Sequence, residues 1–341
     1  MRTGFLAMLF GMVVATAGHA EDALPPAQQL AAEIARGEHS GVEAFILQVE
    51  GQILARTVAP KLAKRPPDLR SATKSITSLL VGIALDRREL SSVETKVVDL
   101  LPARRAAFSK DARKAAMTLE DLLTMRSGLA CDDWDPASPG FEDKMYATRD
   151  WVGFWSEQPM RDRAGERFSY CTGNVIAIGE ILATATGLAA DELARKYLFE
   201  PLGITKAQWA HWNGKRGVDT GGHLRLAPDD LLKIGDLVLH RGMHGTQRIV
   251  SESWINAMTQ ARTTIPERTQ QYGYLWWLDR TKDPKLPQTD LWWAQGNGGN
   301  LLIVMPGVSA VLVVTGTRFN KPEQLEPMFW LRDRLLPAMH H

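Results

Sequence analysis

Apolar positions along the chain follow two rhythms. Near both ends they form short β-branched or aromatic runs, the pattern of strands. Residues 42–49 and 52–57, separated by Glu50-Gly51, predict a hairpin. Residues 301–305 and 309–315, joined at Pro306-Gly307, predict a second, and 272–278 is an aromatic-rich strand candidate. Elsewhere the spacing is helical. Pro26 opens and Gly37 closes an amphipathic helix. Residues 71–86 carry the stripe Ile76, Leu79, Leu80, Ile83 and Ala84, after a basic, proline-containing loop at 61–68. From about 95 to 225 short helices alternate with loops, at 118–125, 148–156, 174–186 and 190–198. Helices at 228–239, 254–259 and 323–336 complete the pattern. Strands at both ends with helices between them predict an α/β (α+β) chain. Its antiparallel sheet is flanked by N- and C-terminal helices, and an all-helical region is inserted at about 95–225.

The first twenty residues read differently. Arg2, the apolar stretch 5–15 and the small residues of Gly18-His19-Ala20 have the form of a signal peptide. The apolar run is shorter than the roughly 20 residues that span a bilayer. The expectation is therefore an exported protein, periplasmic or secreted, with residues 21–341 as a single domain and no stable membrane insertion after processing. Export permits a disulfide, so Cys131 and Cys171 are open both to a bridge and to two buried thiols. A net charge of +1 without a long run of one sign argues against nucleic acid or an acidic membrane as partner. The chain has no His-Glu-x-x-His, Cys-x-x-Cys, Gly-x-Ser-x-Gly or Gly-x-x-x-x-Gly-Lys pattern. Zinc, α/β-hydrolase and nucleotide chemistry are thereby disfavoured, and no cofactor is expected.

Candidate chemistry begins at Ser71-Ala72-Thr73-Lys74. A serine hydroxyl needs a base before it attacks. At a helix start, the amide of Ser71 and the helix dipole favour a developing negative charge. Lys74 lies one turn on, on the same face, and acts as a base if burial and neighbours lower its pKa. A helix cap followed by a solvated lysine is the alternative structural reading, since such a tetrapeptide arises by chance about once in a chain this long.

The surrounding residues are more specific. Arg70-Ser-Ala-Thr-Lys-Ser-Ile-Thr-Ser-Leu-Leu-Val-Gly82 resembles the nucleophile helix of the class C β-lactamase superfamily, which includes penicillin-binding DD-peptidases, esterases and 6-aminohexanoate-dimer hydrolase. Leu119 to Leu129, Glu200-Pro-Leu-Gly-Ile204, Gly221-Gly-His-Leu-Arg-Leu-Ala-Pro228 and Val250-Ser-Glu-Ser-Trp254 are similar to later landmarks of that superfamily, in order. The resemblance runs from about residue 40 to 316 and implies a β-lactamase/transpeptidase-like fold.

It also implies roles. Tyr170, in Tyr170-Cys-Thr-Gly-Asn174, stands where the superfamily has Tyr-x-Asn. It would share protons with Ser71 and Lys74, with neighbouring cations favouring its phenolate, and protonate the leaving group. Thr172 replaces the usual asparagine as a substrate-binding group and lacks the amide's paired donor and acceptor. Ala294-Gln-Gly-Asn-Gly-Gly-Asn300 stands where the superfamily has Lys-Thr-Gly or His-x-Gly. Gly296 and Gly298 would let substrate lie against backbone, and the amide of Asn297, with Gly296 as the alternative, would complete an oxyanion hole with Ser71.

The missing lysine removes a partner for a substrate carboxylate, unless Arg70 or another residue replaces it. The expected substrate is accordingly a small ester, amide or peptide-like molecule. A β-lactamase or DD-carboxypeptidase, a non-catalytic penicillin-binding-like sensor and, last, a metal-dependent hydrolase are the alternatives. Two further features stay open. The acidic loop 131–135 is either solvated or poised over a cleft where it would favour an amine-bearing substrate. For Trp276-Trp277 and Trp292-Trp293, adjacent strand positions allow one member of each pair in the core and the other toward the cleft, while core or helix packing is the expected role for most.

Overall fold

The computed structural model describes residues 25–212 and 217–339; the expected signal segment lies outside them. The two chain ends meet in one antiparallel sheet. Its strands are β1 (Val42–Val49), β2 (Gln52–Val58), β3 (Thr263–Thr264), β4 (Gln271–Tyr272), β5 (Trp277–Arg280), β6 (Asp290–Gly296), β7 (Asn300–Met305) and β8 (Ala310–Gly316). They lie in the order β2-β1-β8-β7-β6-β5-β4-β3. The pairing of β1 with β8, Phe45 opposite Val314 and Leu47 opposite Leu312, joins the N-terminal hairpin to the late strands. Every residue of β7 and β8 is buried, which is why these segments read as continuous apolar runs rather than alternating ones.

Helices cover the sheet. Helix α1 (Pro26–Ala35) packs on β1 and β2, with Leu30 and Ile34 buried. The helix Pro228–Leu239 packs on β8, β7 and β1. Its approach depends on Gly235, where a Cβ would come within 2.7 Å of Leu302 Cδ1. The chain end is helical in pieces, a 3-10 turn (Pro322–Leu325), Glu326–Trp330, a π-helical turn (Leu331–Leu335) and Leu336–Ala338. Prolines 322, 327 and 337 each stand in the first turn of a piece, where the missing N–H is tolerated.

Helix α2 (Thr73–Asp86) runs through the middle of the molecule and is not the one-faced amphipathic helix that its stripe suggests. Residues 73–84 are all buried, polar ones included. The polar side chains find partners inside: Ser75 Oγ donates to Leu275 O (2.6 Å) and Thr77 Oγ1 to Thr220 O (2.8 Å). The Trp254 indole donates to Ser78 O (3.0 Å) and lies where a Cβ on Gly82 would overlap it.

Two other expectations are corrected. Segment 272–278 divides into β4 and β5, because Gly273 to Trp276 turn the chain and Leu275 has φ +61°. The inserted region is not all-helical. It holds two short antiparallel pairs, Gln208–Trp209 with Leu224–Arg225 and His211–Trp212 with Gly217–Val218. Cys131 and Cys171 form a disulfide. Among the described residues no single helix is long and apolar enough to cross a membrane.

Candidate active site

Ser71 lies in a 3-10 turn, Arg70–Ala72, that feeds directly into α2. The residue before it, Arg70, has φ +51°, a conformation unfavourable for a side chain of this size. The turn is pinned from outside. The Arg70 N–H donates to Asp68 Oδ1 (3.0 Å), the Leu69 N–H to Leu224 O (2.9 Å), and the Leu224 N–H to Thr73 Oγ1 (3.3 Å). The Gly221-to-Pro228 segment thus acts as the clamp on the serine turn.

Lys74 is 1% exposed and points back at the serine. Its Nζ donates to Ser71 Oγ (2.9 Å) and to the carbonyl of Gly221 (2.7 Å). Tyr170 precedes helix α3 (Thr172–Thr186). The neighbouring Ser71 hydroxyl pulls against the rise in its pKa, and the Tyr170 ring centroid is 5.1 Å from Lys74 Nζ. Three side chains scattered over a hundred positions therefore converge on one hydroxyl.

The position of Tyr170 is set by the loop before it. Its carbonyl accepts from the Asp133 N–H (2.8 Å), Ser169 Oγ donates to Cys131 O (2.7 Å), and the disulfide ties Cys131 to the residue that follows Tyr170. The acidic loop is thus folded inward at Asp133, whose carboxylate accepts from the Thr172 N–H (2.5 Å). Trp134, 46% exposed, stacks on Tyr170, and Trp277 also stacks on the phenol (5.8 Å, 27°). All four residues of the tryptophan pairs are buried, which agrees with core packing and not with the alternative of one in each pair lining an open cleft.

Electrostatics depart from the sequence expectation. Burial pulls the Lys74 pKa down, but Tyr170, Glu142, Asp133 and Asp219 together hold it above its ordinary value, so the side chain is an ammonium. Burial raises the Tyr170 pKa against the opposing pull of Lys74 and Ser71, so the phenol is neutral at rest. The neighbouring carboxyls are raised too. Asp133 is pushed up to about 7 by burial and by Glu142, and Asp219 to about 6 by burial. Asp219 is fully buried and neither carboxylate oxygen has a hydrogen-bond partner. Glu142, Asp219 and the carbonyl of Gly221 carry no motif of their own. The only signal for them in the sequence was that Gly221 opened a landmark segment.

The third motif lies at the end of β6. A Cβ on Gly296 would overlap the Leu69 carbonyl oxygen and come within 3.1 Å of the Ala72 amide nitrogen, so this strand end packs edge-on against the serine turn. Asn297 follows, its side chain exchanging hydrogen bonds with Asn320 (2.7 and 2.8 Å). The backbone N–H groups of Ser71 and Asn297 have no acceptor among the described residues. Two expected substrate contacts are placed elsewhere. Thr172 is completely buried, its hydroxyl donating to Glu142 (2.7 Å). The Gly298 N–H donates to Gln324 (3.1 Å), and Phe319 covers the position of its missing Cβ. Both are occupied by the protein itself. Among the described residues no cluster of three or more His, Cys, Asp or Glu side chains is arranged to hold a metal ion.

Comparison with known proteins gives the same picture from outside. The family described as Beta-lactamase matches residues 32–335. No curated protein sequence matches the chain. Solved structures do. One is a Bacillus anthracis protein described as a 6-aminohexanoate-dimer hydrolase (16% identity, 90% of this chain and 81% of that one, TM-score 0.74). Another is EstCE1, a hydrolase with promiscuous acyltransferase activity (14% identity, 93% and 99%, TM-score 0.73). A third is a penicillin-binding protein from Bacillus halodurans (16% identity, 88% and 99%, TM-score 0.68). At these identities the likeness is one of fold.

Proposed function

We propose that this chain, which belongs to the Beta-lactamase family, is an exported serine hydrolase that opens an ester or amide bond through an acyl-enzyme on Ser71. The observation that carries the reading is the Ser71 hydroxyl, which accepts a hydrogen bond from the Lys74 ammonium (2.9 Å) where the Tyr170 ring packs 5.1 Å from the same Nζ. The disulfide supports export, since such bonds persist in oxidising compartments.

At rest the pair holds one proton too many to act as a base. Loss of a proton from the Lys74–Tyr170 pair creates the competent form. Ser71 Oγ then attacks the carbonyl carbon and its proton passes to the deprotonated partner. The N–H groups of Ser71 and Asn297 receive the oxyanion. The Tyr170 hydroxyl gives a proton to the departing oxygen or nitrogen as the carbonyl–leaving-group bond breaks. Water repeats the sequence on the acyl-enzyme and frees Ser71. No cofactor enters any step.

Ester or amide hydrolysis ranks above β-lactam hydrolysis because no cation occupies the strand beside the serine. Ala294 is 1% exposed, and Gln295 accepts from the Trp293 indole (3.2 Å). The neighbours named as a hydrolase and a dimer hydrolase fit that ranking, and the penicillin-binding protein keeps the alternative in view. The test is turnover of p-nitrophenyl butyrate with intact-mass detection of the acyl-enzyme. Ser71→Ala abolishes both if the proposal holds. Undiminished turnover by that variant refutes it, and rapid nitrocefin hydrolysis by the parent would favour the β-lactamase reading.

A further inference from the structure

A cavity of about 360 Å³ adjoins the serine turn, and its charge is unbalanced. Lys61, Arg65, Arg70 and Arg225 line it, against the carboxylates of Glu43 and Asp68. Glu43 is taken by Lys61 (2.7 Å). Asp68 is taken by His223, whose Nδ1 is 2.8 Å from Oδ2. Arg70 Nε and Arg225 Nη2 each stand 3.8 Å from that same oxygen, beyond hydrogen-bond range. Arg70 Nε is buried and has no hydrogen-bond partner, and Arg65 has no carboxylate partner among the described residues. One carboxylate thus faces two guanidiniums and an imidazole. Arg70 Nη1 lies 3.5 Å from His223 Nε2 and Arg225 Nη1 donates to the Pro66 carbonyl (3.1 Å), which leaves the unpaired Arg70 Nε and the Arg65 guanidinium to meet an oxyanion.

The walls define the rest of the ligand. Pro66 and Pro67 stiffen one side. Phe319, 37% exposed, gives an apolar surface 4.9 Å from the Arg70 guanidinium. Arg70 is the direct neighbour of Ser71 in the 3-10 turn, so one wall of the cavity is part of the turn that carries the attacking hydroxyl.

We propose that this cavity is an oxyanion subsite, in which Arg70, Arg225 and Arg65 bind a carboxylate or phosphate carried on a short apolar arm by the molecule that Ser71 cleaves. The choice of substrate rests on the hydrolase reading; the anion binding does not.

Two measurements separate the ideas. In the first, kcat/KM is compared for p-nitrophenyl hemisuccinate and p-nitrophenyl butyrate. The anionic ester is expected to lead by about tenfold, and Arg65→Gln and Arg225→Gln each to pull that ratio down severalfold. The ratio is read rather than the absolute rate, so a general loss of activity does not mimic the effect. The second is a thermal shift of the Ser71→Ala protein with monomethyl succinate and with inorganic phosphate. A rise in Tm with either anion that Arg65→Gln abolishes supports the site, and the anion giving the larger shift names the group. Arg65 is exposed, so its substitution leaves folding intact. If butyrate is cleaved, the ratio is flat and neither anion shifts Tm, the subsite is wrong and the hydrolase stands. If no ester is cleaved but the Arg65-dependent shift appears, the hydrolase is wrong and the subsite stands.

Discussion

Trp134 lies flat on Tyr170, the ring centroids 5.5 Å apart and the planes 5° from parallel. The half-exposed indole, with Trp277, covers the phenol and adds to the burial that raises the Tyr170 pKa. Removing it as Trp134→Ala should re-expose the phenol, lower its pKa and loosen its aim. The expected result is a fall in kcat/KM of about tenfold, with the rising limb of the pH–rate profile moved to lower pH. Trp134→Phe should restore most of the rate. An unchanged profile in the alanine variant would show that the stack does not tune the phenol.

The loop bearing Trp134 is held by a covalent tie. The Cys131–Cys171 bridge spans 40 residues of sequence and fixes the segment on either side of Tyr170. On a chain-entropy basis a loop of this size contributes up to about 4 kcal/mol. Replacing both cysteines by serine should lower unfolding stability in urea by about 2–4 kcal/mol. It should also lower kcat more than KM is changed, because Tyr170 acts on the chemical step. Equal stability of the oxidised and reduced protein would exclude this role.

Behind Lys74 the carboxylates make two opposite demands. They favour its ammonium, and their own charges are costly where they are buried. Asp219 has its pKa raised from 3.8 to about 6. In the native state it holds a proton that the unfolded chain releases near pH 4, so its own contribution to stability is greatest below pH 4 and falls as pH rises toward 6. Above that the loss is constant at about 3 kcal/mol. Asp133, raised to about 7, acts in the same sense over a wider window. Asp219→Asn should therefore flatten the decline in Tm between pH 4 and 6. Removing one negative neighbour also lowers the Lys74 pKa, so the rising limb of kcat/KM against pH should move toward neutrality. A limb that stays in place while Tm flattens would separate the structural role of Asp219 from the catalytic one.

These relationships show what the sequence could and could not carry. Local patterns were legible: the β1–β2 hairpin, α1, the helix Pro228–Leu239 and the two strands around Pro306-Gly307 follow from periodicity and turn residues. Strand β6 was not, because Trp292 and Trp293 are both buried and give no alternation. Helix α2 shows an apolar stripe in its sequence, whereas its buried Ser75, Thr77 and Ser78 are satisfied by a carbonyl or sulfur from a distant segment. Ser71, Lys74 and Tyr170 were found through ordered motifs. Thr172 and Gly298 were named for the same reason, yet Glu142 and Gln324, which occupy them, lie 30 and 26 residues away. The charge state of Lys74 was the hardest to foresee, since burial is opposed by Tyr170 and by carboxyls at positions 142, 133 and 219 that only the fold brings together.

Gly296 offers the most direct test of how the serine turn is supported. No side chain fits there, since a Cβ would overlap the Leu69 carbonyl oxygen, a backbone atom that cannot rotate away. Leu69 in turn hands its N–H to Leu224, and Arg70 holds its left-handed conformation beside it. Relief of the overlap must move either β6 or the turn, by a distance comparable to a hydrogen-bond tolerance. Gly296→Ala should cost about 1–3 kcal/mol of stability, the usual penalty of overpacking. It should lower kcat by about a hundredfold or more, because the serine and the Asn297 amide no longer converge on one oxyanion. Gly187→Ala supplies the control. It has left-handed φ +72° but nothing within 4 Å of the added Cβ, so it should lose stability with kcat unaffected. Equal kcat in the Gly296→Ala variant and the parent would mean that the strand end does not shape the reaction centre.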